Sequence, residues 1–110
     1  MKQRYLGEFE EIVLLTVGIL HGNAYGVSIR EEIERRLDRS VSIGSLQVTL
    51  RRMEKKGYLT SAHGETNPLR GGRPKLYFEI TPYGKQLLEY AKETRNNLWN
   101  ALPQLVLNLK

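Results

Sequence analysis

Apolar side chains between positions 6 and 20 are too numerous for a helix with a single buried face. A helix at the surface of a protein shows a narrower apolar stripe, facing only the core. The apolar positions are Leu6, Phe9, Ile12, Val13, Leu14, Leu15, Val17, Ile19 and Leu20. The pattern therefore predicts a central helix over residues 6–20 that contacts partners on several sides. Gly22 and Asn23 suit the cap and turn that would end it.

The next helix has one apolar face. It begins near Tyr25 or Gly26 and carries Ile29, Ile33 and Leu37 at four-residue spacing, with charged residues between them. This spacing is typical of an amphipathic helix with a single buried side.

A third helix is predicted from Ile43 to about Lys56. Residues 40–43 suit a short extended segment, Ser42 can cap the helix start, and Gly57 ends the helix. At about 100° per residue the apolar positions fall in one narrow sector. These core positions are Leu46, Leu50 and Met53.

Two strand-like segments and a last helix complete the pattern. Residues 58–61 and 76–80 favour strands, and the glycine-containing stretch between them favours a turn. Thr81 and Pro82 form a strong helix start, and Pro103 predicts a kink or an end near Leu102. The last helix carries a seam suited to pairing helices. The seam residues are Leu87, Ala91, Thr94, Leu98, Ala101 and Leu105.

Three helices followed by a hairpin and one more helix predict a mainly α fold with a small β-hairpin (α+β). The order is that of a winged helix-turn-helix with an added C-terminal dimerisation helix. We expect residues 1–81 to form the DNA-binding domain and residues 82–110 to form the dimerisation helix, in one compact unit with helix 6–20.

Composition narrows the function. The 110 residues include 17 Lys and Arg against 12 Asp and Glu, a net charge of +5. Residues 51–75 alone hold seven basic and two acidic side chains, so this stretch carries the whole excess. A localised excess of positive charge favours a polyanionic partner.

Several other classes of protein are disfavoured. The chain has no cysteine, which excludes disulfide frameworks, thiolate metal sites and thiol nucleophiles. The apolar run 12–20 is too short to span a membrane, so we expect a cytoplasmic protein without a membrane partner. His21 and His63 alone do not form a credible metal site, and no phosphate-binding loop or nucleophile motif is present. We therefore expect no metal, no cofactor and no enzymatic activity.

The side of the third helix opposite its core stripe has the chemistry of a major-groove reader. Hydrogen-bonding side chains lie at its N-terminal end and cations lie further along. The hairpin turn adds Arg70, Arg73 and Lys75 beside glycines that permit close approach to a phosphate backbone. Tyr25, at the start of the second helix, could also reach a phosphate. The alternative is that these cations form an ordinary solvated surface.

Several ordered motifs together resemble the PadR family of bacterial transcriptional regulators over roughly residues 10–90. They are residues 24–26 (AYG), 44–46 (GSL), 50–59 (LRRMEKKGYL), 72–77 (GRPKLY) and 80–84 (ITPYG). The resemblance implies a dimeric winged-helix repressor that responds to small molecules. Taken with the helix pattern, it gives the expected DNA-binding residues as Tyr25, Ser45, Gln47, Val48, Arg51, Arg52, Lys55, Arg70, Arg73 and Lys75.

The chain departs from the family at two of these positions. Gln47 and Val48 stand where members commonly have a Tyr-Pro pair. Glutamine can pair with adenine and valine can contact a thymine methyl group, so we expect some A·T content in each half-site.

The C-terminal segment is shorter than in members with a long coiled region, yet it is too apolar for a free tail. We expect it to be buried in a homodimer. The expected dimerisation residues are Leu87, Ala91, Leu98, Trp99, Leu102 and Leu105. Trp99 has two interpretations: a packing residue of the interface, or part of a pocket for a flat ligand, as the resemblance implies.

The sequence thus predicts a transcriptional repressor that binds double-stranded DNA at a pseudo-palindromic operator and is released by a small aromatic or hydrophobic effector. The alternative is a winged-helix protein-interaction module whose basic hairpin binds an acidic protein partner, because a fold alone does not decide function.

Overall fold

The computed structural model describes residues 5–64 and 74–110. Within these ranges a two-stranded antiparallel hairpin lies between helices, which confirms the predicted winged helix-turn-helix. The elements are α1 (Glu8–Ile19), α2 (Gly26–Leu37), α3 (Ile43–Lys55), β1 (Leu59–His63), β2 (Leu76–Ile80), α4 (Pro82–Asn100) and α5 (Gln104–Leu107).

Helix α1 is the centre of the fold, as its broad apolar surface predicts. It contacts α2, α3, β2 and α4, and Val13, Leu14 and Val17 are buried between these elements. Leu15 and Ile19, on another side of α1, are exposed in the protomer. The helix therefore has more apolar surface than its own chain covers.

The turn between α2 and α3 shortens the expected apolar stripe of α2. Ile29 and Ile33 are buried, but Leu37 is 45% exposed. Asp38, which follows it, has a left-handed backbone conformation with φ 50°, and the chain leaves the helix there. Val41 enters the core instead, and its amide donates a 2.8 Å hydrogen bond to the Glu34 carboxylate.

Both predicted ends of α3 are confirmed. The Ser42 hydroxyl accepts a hydrogen bond from the Ser45 amide at 3.3 Å, which satisfies one of the free donors of the first turn. At the other end Gly57 has φ 83°, a conformation that favours glycine, and the Tyr58 amide donates back to the Met53 carbonyl at 2.9 Å. The chain therefore turns directly from α3 into β1.

The hairpin is attached to the helices through its second strand. β1 and β2 pair in register from Leu59 with Ile80 to His63 with Leu76, so β1 runs two residues beyond the predicted strand. The Phe78 amide donates to the Ala24 carbonyl at 2.8 Å, which ties β2 to the residues before α2. The hairpin base therefore has a fixed position beside the start of α2.

The start of α4 is tied to the end of α3. The Thr81 hydroxyl caps α4 by accepting from the Gly84 amide at 3.0 Å, and it donates to the Gly57 carbonyl at 2.6 Å. A β-carbon at Gly84 would lie 2.3 Å from the Tyr58 carbonyl oxygen. Only glycine permits the backbone approach that joins α4 to the hairpin.

Helix α4 leaves the body of the protomer. It ends at Asn100, two residues before the predicted break, and a short helix resumes after Pro103. The radius of gyration is 17.0 Å, whereas a compact chain of this length has about 13 Å. The C-terminal part of α4 and the residues after it therefore extend into solvent in the single chain.

Candidate nucleic-acid interface

The outer face of α3 carries the side chains that the helical pattern placed there. Leu46, Leu50 and Met53 are buried beneath the helix. The expected reading residues Ser45, Gln47, Val48, Arg51 and Lys55 are all exposed on the outside. The sequence thus separated the buried and exposed sides of α3 correctly.

A cleft separates α3 from the base of the hairpin. Its volume is about 280 Å³, and its lining includes Gln47 and Arg51 from α3, Lys75 beside β2, and Tyr25 before α2. The apolar part of the lining consists of Val27, Ile43, Leu50, Leu76 and Phe78. Four of the expected DNA-binding residues, which are distant in sequence, therefore share one concave surface. Two of them are cations, Arg51 from α3 and Lys75 from the hairpin.

Glu54 also lines this cleft and is the one acidic residue in its lining. Its carboxylate accepts a hydrogen bond from the Ser61 hydroxyl of β1. This hydrogen bond orients the carboxylate but leaves its charge, and the two cations Arg51 and Lys75 outnumber it in the lining.

Lys75 is held against an aromatic ring. Its Nζ lies 4.2 Å from the centroid of the Tyr25 ring, within the range of a cation–π interaction. Tyr77 contacts the same ring edge-on, with 5.6 Å between centroids. Tyr25 thus links the start of α2 to the basic end of the hairpin.

Arg52, expected among the DNA-reading residues, pairs with α1. Its Nε lies 3.3 Å from Glu10 Oε2, and Lys56 Nζ lies 3.5 Å from the same oxygen. Glu10 is 7% exposed and also accepts a 3.0 Å hydrogen bond from the Gly7 amide. Arg52 and Arg51 are adjacent in sequence but make different contacts.

The pKa of Glu10 reflects these partners. Burial raises the pKa of the carboxyl group, but the Gly7 amide, Arg52 and Lys56 favour its charged form more strongly. The net result is a pKa below its ordinary value. The lowered pKa favours the charged form of Glu10, which accepts from Arg52 of α3 and from Lys56 directly after it.

The role of Glu10 is not predicted by the pattern of residues around it. The visible signal was the group of acidic residues Glu8, Glu10 and Glu11 directly before an apolar helix. Its partner lies 42 residues further along the chain, so the pair depends on how α1 crosses α3. Arg70 and Arg73, predicted for the hairpin turn, lie outside the described residues.

The expected dimerisation residues divide into two groups. Leu87 packs against the core of its own protomer, and Ala91 lies with Leu6 and Glu11 in a shallow cavity between α1 and α4. The remaining residues are exposed, and these are Leu98, Trp99, Leu102 and Leu105. Between the two groups along α4, Arg95 Nη2 pairs with Glu11 Oε1 of α1 at 2.7 Å.

Between residues 5–64 and 74–110, no group of three or more His, Asp or Glu side chains is arranged to hold a metal ion. In those ranges, no helix combines the length and the apolar character required to cross a bilayer.

Comparison with known structures gives the same fold at low sequence identity. A PadR family transcription regulator from Clostridium difficile R20291 is 28% identical with a TM-score of 0.62, over 86% of this chain and 97% of that one. A PadR-like regulator from Bacillus cereus is 20% identical with a TM-score of 0.71, over 93% of each chain. RosR from H. salinarum is 20% identical with a TM-score of 0.73, over 94% of this chain and 86% of that one.

Comparison with protein families identifies the family as well as the fold. No curated protein matches the chain. The model of the transcriptional regulator PadR-like family, however, matches residues 14–90, which include α2, α3, the hairpin and the cleft between them. This match identifies a DNA-binding regulator rather than an enzyme. The chain therefore belongs to the PadR-like family of transcriptional regulators.

Proposed function

We propose that this regulator is a homodimeric repressor that binds a pseudo-palindromic operator and is released by a small aromatic or hydrophobic ligand. The observation that carries the proposal is the cleft in which Gln47 and Arg51 of α3 lie with Lys75 and Tyr25. A reading helix and a backbone-contacting hairpin must face the same duplex, and these side chains share one surface.

Each element of this surface supplies a different kind of contact. The glutamine amide of Gln47 and the apolar Val48 can read base edges in the major groove. Arg51, Lys55 and Lys75 supply positive charge for phosphates and for guanine. Base contacts select the sequence, whereas phosphate contacts fix the position of the protein on the duplex.

The C-terminal residues support the dimer. Trp99 is 64% exposed and Leu105 is 80% exposed, and further apolar side chains around them are also exposed. Exposed apolar patches of this kind mark interaction surfaces in soluble proteins. A second copy would cover them by symmetry, and two α3 helices about 34 Å apart would then reach successive major grooves.

The ligand proposal depends on the same region. A tryptophan at the centre of a dimer offers a flat apolar surface on which a planar molecule can stack. We expect saturable quenching of Trp99 fluorescence by planar aromatic molecules and release of DNA at the same concentrations. Ligands that quench the fluorescence without releasing DNA would contradict the effector role.

The central experiment is selection of binding sites from random duplexes, followed by affinity measurement on the recovered sequence with excess unrelated DNA. Gln47→Ala should change the preferred sequence, and Arg73→Ala should weaken all sequences alike and make the salt dependence shallower. Arg35→Ala is the matched control, because Arg35 is an exposed cation that pairs with Glu32 near the end of α2 remote from Tyr25. Tight binding of an acidic protein without any selected DNA site would favour the alternative module.

A further inference from the structure

The contact between Lys75 and Tyr25 belongs to a small assembly of side chains at the hairpin base. Successive residues of an extended strand point to opposite faces, so residues 75 and 77 share one face. Both contact the Tyr25 ring: the Lys75 ammonium lies 4.2 Å from its centroid, and the Tyr77 ring meets it at 76°. The ring of Tyr25 therefore has one aromatic and one cationic neighbour on the hairpin.

Tyr25 is held in place independently of these side chains. Its amide donates a 2.9 Å hydrogen bond to the hydroxyl of Ser28, in the first turn of α2. The preceding carbonyl, of Ala24, accepts the 2.8 Å hydrogen bond from the Phe78 amide. Backbone contacts thus fix the ring next to the hairpin, and the ring does not depend on Lys75 for its position.

We infer that Tyr25 is a positioning residue whose ring fixes the Lys75 ammonium at the cleft wall, ready for a DNA phosphate. This inference rests on the proposed function, and it explains how Lys75 is oriented for its phosphate contact. A lysine side chain is long and flexible, so ordering it on binding costs affinity, and a side chain already in place avoids that cost. The ammonium has three donors, so phosphate oxygens can bind on the side away from the ring.

The ring face and the hydroxyl of Tyr25 make distinguishable contributions. Attraction between a cation and a ring arises from the negative charge of the ring face, which phenylalanine shares with tyrosine. Fluorine atoms on the ring reduce that charge while leaving the shape and apolar surface nearly unchanged. Tyr25→Phe, which lacks the hydroxyl, is therefore the reference for the series, and stepwise fluorination of that phenylalanine should lower DNA affinity below the reference.

The experiment measures affinity of the full chain for a short duplex of mixed sequence at low salt, with mono-, di- and trifluorinated phenylalanine at position 25. We expect a graded loss that reaches about two- to fivefold per subunit, the range of an exposed cation–π interaction. In a Lys75→Gln background the same series should be flat. Fluorination of Tyr83, which packs on Tyr58 at the start of α4, is the matched control and should also be flat.

Three results would overturn the inference. A flat series at position 25 in a chain that binds DNA normally would show that the ring charge has no role. A gain in affinity on fluorination would mean that the ring restrains Lys75 away from DNA. A large loss in Tyr25→Phe alone would assign the contact to the hydroxyl. Failure of the native chain to bind any duplex would instead refute the proposed function, so the two failures are distinguishable.

Discussion

Two adjacent arginines of α3 should respond to substitution in different ways. Arg51 lines the cleft between α3 and the hairpin, whereas Arg52 Nε lies 3.3 Å from the buried Glu10 carboxylate. We expect Arg51→Ala to weaken DNA binding with little effect on stability. Arg52→Ala should lower stability with little effect on DNA binding, although the two residues have the same charge.

The effect on DNA binding follows from the release of counterions. The slope of log K against log salt is negative, and each lost phosphate contact reduces its magnitude by about 0.9. A homodimer loses two contacts in Arg51→Ala, so the slope should become shallower by about 1.8. Between about 0.05 and 0.2 M salt, the variant should therefore lose roughly tenfold less affinity than the native protein loses over the same range.

The effect on stability follows from the exposure of the second pair. Arg52 is 48% exposed, so solvent weakens its attraction to Glu10. Exposed ion pairs contribute about 0.2–1 kcal/mol. After Arg52→Ala, Glu10 still has Lys56 and the Gly7 amide as partners, which limits the loss to that range.

Fluorescence anisotropy on one duplex at a series of salt concentrations measures the slopes, and urea unfolding measures the stabilities. Both variants share the same background and the same change of charge, so each is the control for the other. Equal changes of slope in Arg51→Ala and Arg52→Ala would refute the reasoning. A change of slope confined to Arg52→Ala would mean that DNA contacts the Arg52 side of α3 rather than the cleft.

Three further predictions concern the scaffold. Leu105→Glu should dissociate the proposed homodimer in sedimentation experiments because it places a charge in an exposed apolar patch, while Thr60→Glu on the hairpin should leave the homodimer intact. Gly84→Ala should lower the free energy of unfolding by about 1–3 kcal/mol, because its β-carbon would lie 2.3 Å from the Tyr58 carbonyl oxygen; unchanged urea unfolding would contradict that close approach. The lowered pKa of Glu10 stabilises the protein above the ordinary value of 4.5, and this contribution should be lost as pH falls below 4.5. Glu10→Gln should remove that part of the acid dependence, and an identical pH profile in the variant would contradict it.

Local sequence signals predicted the helix ends and the buried side of α3. Ser42, Gly57 and the Thr81-Pro82 pair act through their own backbone neighbours, so the sequence around them contains the physical cause. The core stripe of α3 follows in the same way from the helical repeat. Such features need no knowledge of other elements.

Features that depend on contacts between two elements were not visible in the sequence. The helical repeat gives the direction of Arg52 around α3, but it cannot show that the Glu10 carboxylate of α1 lies on that side. It likewise extended the stripe of α2 to Leu37, although the left-handed turn at Asp38 removes that residue from the core. The spacing of Leu87 fits the predicted seam, but spacing does not show that Leu87 also packs on the core of its own chain. The way helices cross and the chain turns, rather than periodicity, decides what each of these side chains contacts.

The hydrogen bonds of Thr81 tie the start of α4 to the turn that follows α3. Its hydroxyl contacts the Gly57 carbonyl and the Gly84 amide, and Gly84 leaves no gap between α4 and the backbone of Tyr58. When two elements are rigidly connected, a small tilt at one end produces a larger displacement at the other, and this molecule is 62 Å long. In the proposed homodimer, a ligand that changed how the two α4 helices cross would thus alter the distance between the two α3 helices without remodelling either of them.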